Sequence, residues 1–372
     1  MKAGAVFPST RRVDVVELAE PKITSPNEVK LRMLEIGVCG TDREICNFDY
    51  GTPPGGSEFL VLGHESLAEV VETGAGVKRF RAGDLVVSMV RRPCSHADCV
   101  ACRSGRQDFC YTGDFVERGI KECHGFMTQF VVDEETYLNP LPRELRDVGV
   151  LIEPLTIAEK ALIQVNLVQQ RLPWGCPASP GKSAHYCHRA VVLGAGPVGL
   201  LGAMVLVNSG FETFVYSRSA KPNPKAALAE SFGAKYISSM QYSTERLVEQ
   251  VGQIDVVYEA VGASQMAIEV LQVLGPDGVF VFTGVPRHGD PVSVDTDLLM
   301  RNLVLKNQMV LGTVNAGPDA FEAAIRDLGV FYQRWPAAVR ALITGRYSIE
   351  EFREPIFDRS GIKNVIVVNG NR

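Results

Sequence analysis

The chain has 372 residues, 46% hydrophobic and 22% charged, with a formal net charge of −5. That length exceeds one ordinary core and predicts two domains. The mildly acidic balance gives no electrostatic footprint for nucleic acid or an anionic membrane surface as partner, and no apolar run reaches the roughly 20 residues that span a bilayer. The opening MKAGAVFPSTRRVDVVELAE lacks a charged-then-apolar leader with a small-residue cleavage site, so a cytoplasmic protein is expected. Nine cysteines, an odd count, argue in a reducing compartment against a disulfide framework and for metal ligands or isolated thiols.

Residues 1–90 read as short strands and turns. Glu28 to Met33 and Ser66 to Glu72 are rich in β-formers, and TGAGVKRFRAGDLVV is a turn-rich connection with a strand beginning near Asp84. Cys94, Cys99, Cys102 and Cys110 follow as C-x4-C-x2-C-x7-C in a polar, loop-like setting. Four thiolates this close fit a closed tetrahedral zinc site, structural rather than catalytic. An iron–sulfur cluster uses the same ligands, and His96 inside the loop is a competing donor. The stretch VQQRLPWGCPASPGKSAHYCHRA, with three prolines, reads as a linker or surface excursion. Its Cys176, His185, Cys187 and His188 are metal-ligand types, or on the plainer reading incidental side chains of an irregular loop.

From Arg189 the pattern changes. The β-rich runs AVVLG, TFVYS, IDVVYEAVG and GVFVFTGV alternate with helical segments, which predicts a parallel, doubly wound sheet. AVVLGAGPVG places Gly194, Gly196 and Gly199 in a G-x-G-x-x-G turn after a strand and before a helix. That context predicts a dinucleotide site, with Pro197 and Val198 opening the helix. The second strand ends in Ser217, Arg218 and Ser219 rather than in an acid. A hydroxyl and a guanidinium suit a 2′-phosphate, so NADP is expected, with NAD as a further acceptor. The tail is helical through FEAAIRDLGVFYQRW and ends in IKNVIVV, a buried-strand pattern able to return to the first domain.

GVCGTD (Cys39, Thr41, Asp42), GHES (His64, Glu65) and IEPL (Glu153) supply the ligand types of an open, catalytic zinc site. Singly, His64 reads equally as a core histidine, and Glu153 before Pro154 as a helix-start acid. Together with the four-cysteine lobe and GAGPVG, these segments occur in the order found in zinc-dependent medium-chain alcohol dehydrogenases, which the chain resembles over nearly its whole length. VRRPC, GRQDFCYTGDFVERGIKECHGFM, EPLTIAEKA and the VN at 314–315 resemble the glucose (aldose) 1-dehydrogenases of that family.

The resemblance implies an α/β protein. A GroES-like, mostly-β catalytic domain would be built from residues 1–188 and 313–372, and a Rossmann domain from 189–312. It implies Cys39, His64, Glu65 and Glu153 as catalytic-zinc ligands and Thr41 as the hydroxyl that relays the substrate proton. Glu117, Glu153 and Asn315 become substrate-side residues, and Thr283 and Asn315 join the cofactor residues. Val90 and Leu305 depart from the pattern, standing where related enzymes carry polar sugar-contacting groups. The activity implied is hydride transfer from C1 of an aldose to NADP or NAD, giving an aldonolactone, in a homodimer or tetramer. A polyol, secondary alcohol or amino-alcohol such as threonine is the alternative substrate. A non-enzymatic, dinucleotide-binding redox sensor is the remaining reading, and the Cys39, His64, Glu65 set counts against it.

Overall fold

Val29, Leu31 and Met33 alternate with more exposed neighbours and then give way to an unbroken buried run through Gly37. That pattern suits a strand with one solvated face at its start and two covered faces at its end. The computed structural model, which describes residues 1–287, 289 and 291–369, makes it the strand Glu28–Gly37, central to a seven-stranded sheet. Its neighbours are Glu65–Thr73 and Phe130–Glu134, both antiparallel. The apolar IKNVIVV run of the tail forms Lys363–Val367 and pairs antiparallel with the end of the same strand, Val365 opposite Gly37. Leu31, Met33, Ile36, Val70, Phe126, Met127, Phe352 and Ile366 form the core between this sheet and its cover.

The chain divides into two compact units. One is Met1–Thr156 with Asn315–Tyr332 and Val339–Arg372; the other is Ile157–Val314 with Gln333–Ala338. The sequence reading assigns residues 157–188 to the first domain, whereas here they group with the second unit. The reason is packing: Ala158, Ala161, Leu162 and Val165 of the helix Ile152–Gln169 line one apolar cavity with Gly202, Val205, Val256 and Val281 of that unit.

The second unit is built on six parallel strands in the order Lys235–Ser238, Glu212–Ser217, Arg189–Leu193, Val256–Glu259, Val279–Phe282, Met309–Gly312. This is the doubly wound arrangement, with the order reversing beside Arg189–Leu193. Val191, Leu193, Phe214, Val257 and Phe280 fill its core. Among the described residues no helix is long and apolar enough to cross a membrane.

Backbone segments of the first unit approach too closely for any side chain at Gly125, where a Cβ would lie 2.2 Å from the Leu62 carbonyl and 2.4 Å from that of Gly63. Gly125→Ala is expected to cost about 1–3 kcal/mol. Gly329→Ala, inside the helix Pro318–Arg334 with nothing within 4 Å of the added methyl, is expected to stabilise by about 0.4–1 kcal/mol. Urea unfolding of both variants checks the pair.

Candidate active site and dinucleotide turn

Cys39 precedes the helix Gly40–Cys46, and its N–H donates to the Asp42 carboxylate at 2.8 Å, which fixes the turn that carries the thiol. The Thr41 hydroxyl lies 3.9 Å from the Cys39 sulfur. His64 and Glu65 enter from the start of the neighbouring strand, and the ligand atoms of Cys39, His64 and Glu65 all lie within 4.8 Å of one another. Asp42, fully buried, sits 3.6 Å from Nδ1 of His64, which leaves Nε2 as the nitrogen for a metal.

The local field is acidic. Burial raises the Asp42 carboxyl, with the nearby His64 opposing. Burial also opposes the charged form of His64, but Asp42 and the Cys39 thiol outweigh it and hold the imidazole well above its ordinary range. Glu153 is pushed up to about 7, chiefly by burial, with His64 pulling it down and Glu65 raising it further. Three scattered segments are therefore brought into one electrostatic cluster. The Cys39 thiol, the His64 imidazole and the Glu65 carboxylate, with ligand atoms within 4.8 Å of one another, fit a borderline-soft divalent cation, whereas Glu153 contributes to the field without belonging to that donor set.

Lys363 is the member that motif reading missed. Its ammonium donates to both Glu65 oxygens, at 2.7 and 2.6 Å, and to the Val38 carbonyl at 2.9 Å. Burial disfavours its charge, yet Glu65 and the Cys39 thiol raise its pKa above the usual lysine value. A Cβ on Gly37 would come 2.0 Å from a Glu65 oxygen, so this carboxylate occupies space that only glycine leaves open. The available signal was a lysine inside the apolar run IKNVIVV.

Glu117 and Asn315, separated by 198 residues, meet directly: the Asn315 amide donates to Oε1 of Glu117 at 2.9 Å. Arg91, opposite Glu117 across two short strands, donates to the same oxygen at 3.0 Å and stacks on Phe115. Asn315 holds a positive φ of 58°, a strained backbone of the kind that functional sites retain. Val90 is buried, and Leu305 is 70% exposed at the end of the helix Thr296–Leu305.

The four thiols of the lobe converge, with Cys94–Cys102 at 3.7 Å and Cys99–Cys110 at 3.9 Å between sulfurs. Tetrahedral zinc with bonds of about 2.3 Å needs sulfurs about 3.8 Å apart, so the cage matches that ion. His96 turns away from it toward Asp114. The expectation that cysteines here would not pair fails at one place: Cys176 and Cys187 form a disulfide. Their loop folds back so that the two Cα atoms lie 5.8 Å apart, within bridging range, a proximity that sequence spacing does not reveal.

In the second unit Gly194 adopts a φ of 103°, and a Cβ on Gly199 would meet the Gly194 carbonyl at 2.3 Å. Gly196 caps the helix Pro197–Ser209, and among the described residues no atom other than those of its chain neighbours lies within 4 Å of where its Cβ would be. The Gly196 approach thus stays open to a phosphate at a helix N-terminus. Ser217 ends its strand, with Arg218 and Ser219 exposed beyond it. Thr283 donates its hydroxyl to the Glu259 carbonyl at 2.6 Å. Glu259, also unanticipated, accepts from the N–H groups of Val261, Gly262 and Gly284 and so ties two loops together at the carboxyl ends of their strands.

A GroES-like β unit and a doubly wound dinucleotide sheet define the medium-chain alcohol dehydrogenase class. Residues 25–143 match the alcohol dehydrogenase GroES-like domain, and residues 146–368 match the glucose dehydrogenase C-terminus. Glucose 1-dehydrogenases of Methanocella arvoryzae and Thermoproteus tenax are 36% and 38% identical, each alignment covering 99% of both chains. A Haloferax mediterranei glucose dehydrogenase, solved with NADP, zinc and gluconolactone, superposes with a TM-score of 0.89 at 33% identity and full coverage of both chains. The chain belongs to this zinc-dependent medium-chain family, in its glucose dehydrogenase branch.

Lys363→Met leaves the buried Glu65 carboxylate unpaired and is expected to cost about 3–5 kcal/mol, part of it recovered in the Lys363→Met/Glu65→Gln double variant; denaturant unfolding measures both. For Glu153, a pKa raised from 4.5 to about 7 means that the folded chain binds the proton more tightly than the unfolded one. Its contribution is then complete below about pH 4.5 and is lost as pH rises toward about 7. In chelator-treated protein, Glu153→Gln should flatten the fall in urea midpoint across that window.

Proposed function

We propose that this chain oxidises the C1 hydroxyl of an aldose, glucose or a close relative, to an aldonolactone, using NADP and zinc. The observation that carries the reading is the Glu117–Asn315 pair in a chain that also gathers Cys39, His64 and Glu65 into one donor set. Cys39, His64 and a carboxylate, Glu65 or Glu153, would hold the catalytic zinc, and Cys94, Cys99, Cys102 and Cys110 the structural one. When bound, the ion supplies Lewis acidity that lowers the pKa of the sugar hydroxyl, and the nicotinamide serves as hydride acceptor.

The chain's own groups supply the rest. Asp42, 3.6 Å from Nδ1 of His64, favours the charged imidazole electrostatically, and Lys363 holds Glu65. Thr41, beside the Cys39 thiol, is the hydroxyl that carries the substrate proton outward. Arg91 compensates the Glu117 charge, so that Glu117 can accept from sugar hydroxyls while Asn315 contributes an amide donor. A sugar lacking the matching hydroxyls leaves these buried groups unpaired and is rejected. Because the side chains of Val90 and Leu305 offer no hydrogen bonds, discrimination among aldoses falls on Glu117 and Asn315, and an aldose other than glucose satisfies the same pair.

Gly194, Gly196, Pro197, Val198 and Gly199 would receive the pyrophosphate. Ser217, Arg218 and Ser219 would receive the 2′-phosphate, with Thr283 and Asn315 toward the nicotinamide. A cytoplasmic homo-oligomer, dimer or tetramer, belongs to the same proposal. Free thiols in the lobe suit a reducing compartment, and Met300, Val304, Leu305 and Val310 expose apolar surface along a helix and edge strand of the second unit.

A screen of aldoses, polyols and L-threonine with NADP and NAD tests the reading; no turnover of any aldose would sink it. Arg218→Ala removes a charged hydrogen-bond donor of about 1.5–3 kcal/mol, so the KM for NADP should rise on the order of 10- to 100-fold while that for NAD stays unchanged. Asn315→Ala should lower kcat/KM for the favoured aldose.

A further inference from the structure

We propose that Cys176, Cys187 and His188 form a third zinc site, separate from the two clusters above, which fills when the Cys176–Cys187 disulfide is reduced. Residues 170–188 carry no helix or strand between the helix Ile152–Gln169 and the strand Arg189–Leu193. Pro173, Pro177 and Pro180 withhold backbone donors there. Side chains order the segment instead: Trp174 stacks on His188 at 4.3 Å, and His185 stacks on Phe211 at 4.4 Å.

Within that cluster the two sulfurs and an imidazole nitrogen of His188 lie within 4.8 Å of one another. The Cys176 sulfur is 3.7 Å from Nδ1 of His188. Tetrahedral zinc, with sulfur at about 2.3 Å and imidazole nitrogen at about 2.0–2.1 Å, requires about 3.6 Å between those two donors. One edge of the coordination tetrahedron is therefore already present. Two thiolates and an imidazole are soft and borderline donors that suit zinc. His185 lies outside that three-residue group but near it: its ring centroid is 5.7 Å from that of His188, and its buried Nδ1 has no hydrogen-bond partner among the described residues. An orphaned buried nitrogen costs free energy that ligation recovers.

The disulfide and the metal exclude each other, because the bonded sulfurs must part to sit on one ion. A dithiol reductant supplies two electrons and two protons, the S–S bond breaks, and the reductant leaves as its own disulfide. Zinc then displaces the two thiol protons. Cys187 is exposed, so reductant and metal both have a route in. None of these residues belongs to the catalytic or four-cysteine set, so the site stands or falls independently of the proposed reaction.

The test is zinc content per chain after removal of unbound metal. It is measured on the protein reduced with a phosphine and on the protein with the disulfide intact, confirmed by intact mass. Reduced wild type should hold one zinc more than the disulfide form, and Cys176→Ala/Cys187→Ala should show no such difference between redox conditions. Equal zinc in the two wild-type forms, or the same increment in the double variant, overturns the proposal. Should that variant fail to fold, His188→Ala keeps both thiols. Its reduced form should lose zinc affinity on the order of tenfold or more against a chromophoric chelator, and unchanged affinity overturns the site.

Discussion

The buried ion pair between Lys363 and Glu65 is the constraint on which the first unit turns. Both side chains are 1% exposed, and 298 residues separate them. Isolated, each charge would be expensive to bury. Together, with the Val38 carbonyl taking a further ammonium proton, they are mutually satisfied. The pair forms only if the last strand docks beside Glu28–Gly37 and only if Gly37 carries no Cβ. Closing the sheet and fixing the Glu65 carboxylate through Lys363 are therefore one event.

Around that pair the protein gathers more negative than positive charge. Asp42, Glu65 and Glu153 surround one imidazole and one ammonium, with the Cys39 thiol among them. Burial raises the Asp42 and Glu153 carboxyls, so this cluster favours proton uptake or a cation. A divalent ion resolves the same conflict with donors of the correct kinds. The four-cysteine lobe meets the same difficulty with thiols alone: burial, with hydrogen bonds to the neighbouring thiols, raises Cys102 to about 12, while at Cys110 burial is outweighed by hydrogen bonds from Thr112 and the neighbouring thiols, which lower it to about 6.

The cluster around Glu117 is built on different chemistry. Glu117 is oriented by Arg91 and Asn315 rather than by hydrophobic contact, and Asn315 accepts a left-handed backbone to reach it. In the second unit the analogous device is Glu259, whose carboxylate collects three backbone N–H groups from two loops. In each case a carboxylate on a short strand gathers donors from other segments of the chain.

Local spacing was sufficient for the features that depend on neighbours in the chain. Gly194, Gly196 and Gly199 need φ freedom or a close approach within one turn. The four lobe cysteines lie within 17 residues, and the alternating strands and helices carry their own periodicity. Features made by distant segments were legible only as parts. Cys39, His64 and Glu153 could be named from resemblance, but their shared field exists only where three elements converge. The Lys363–Glu65 pair, the Arg91–Glu117–Asn315 cluster and the Cys176–Cys187 bond needed the tertiary structure, because each depends on chain closure that no local pattern encodes. So did the grouping of residues 157–188, decided by which sheet the apolar face of one helix could cover. The sequence determined which chemistries were available, and the fold decided which of them meet.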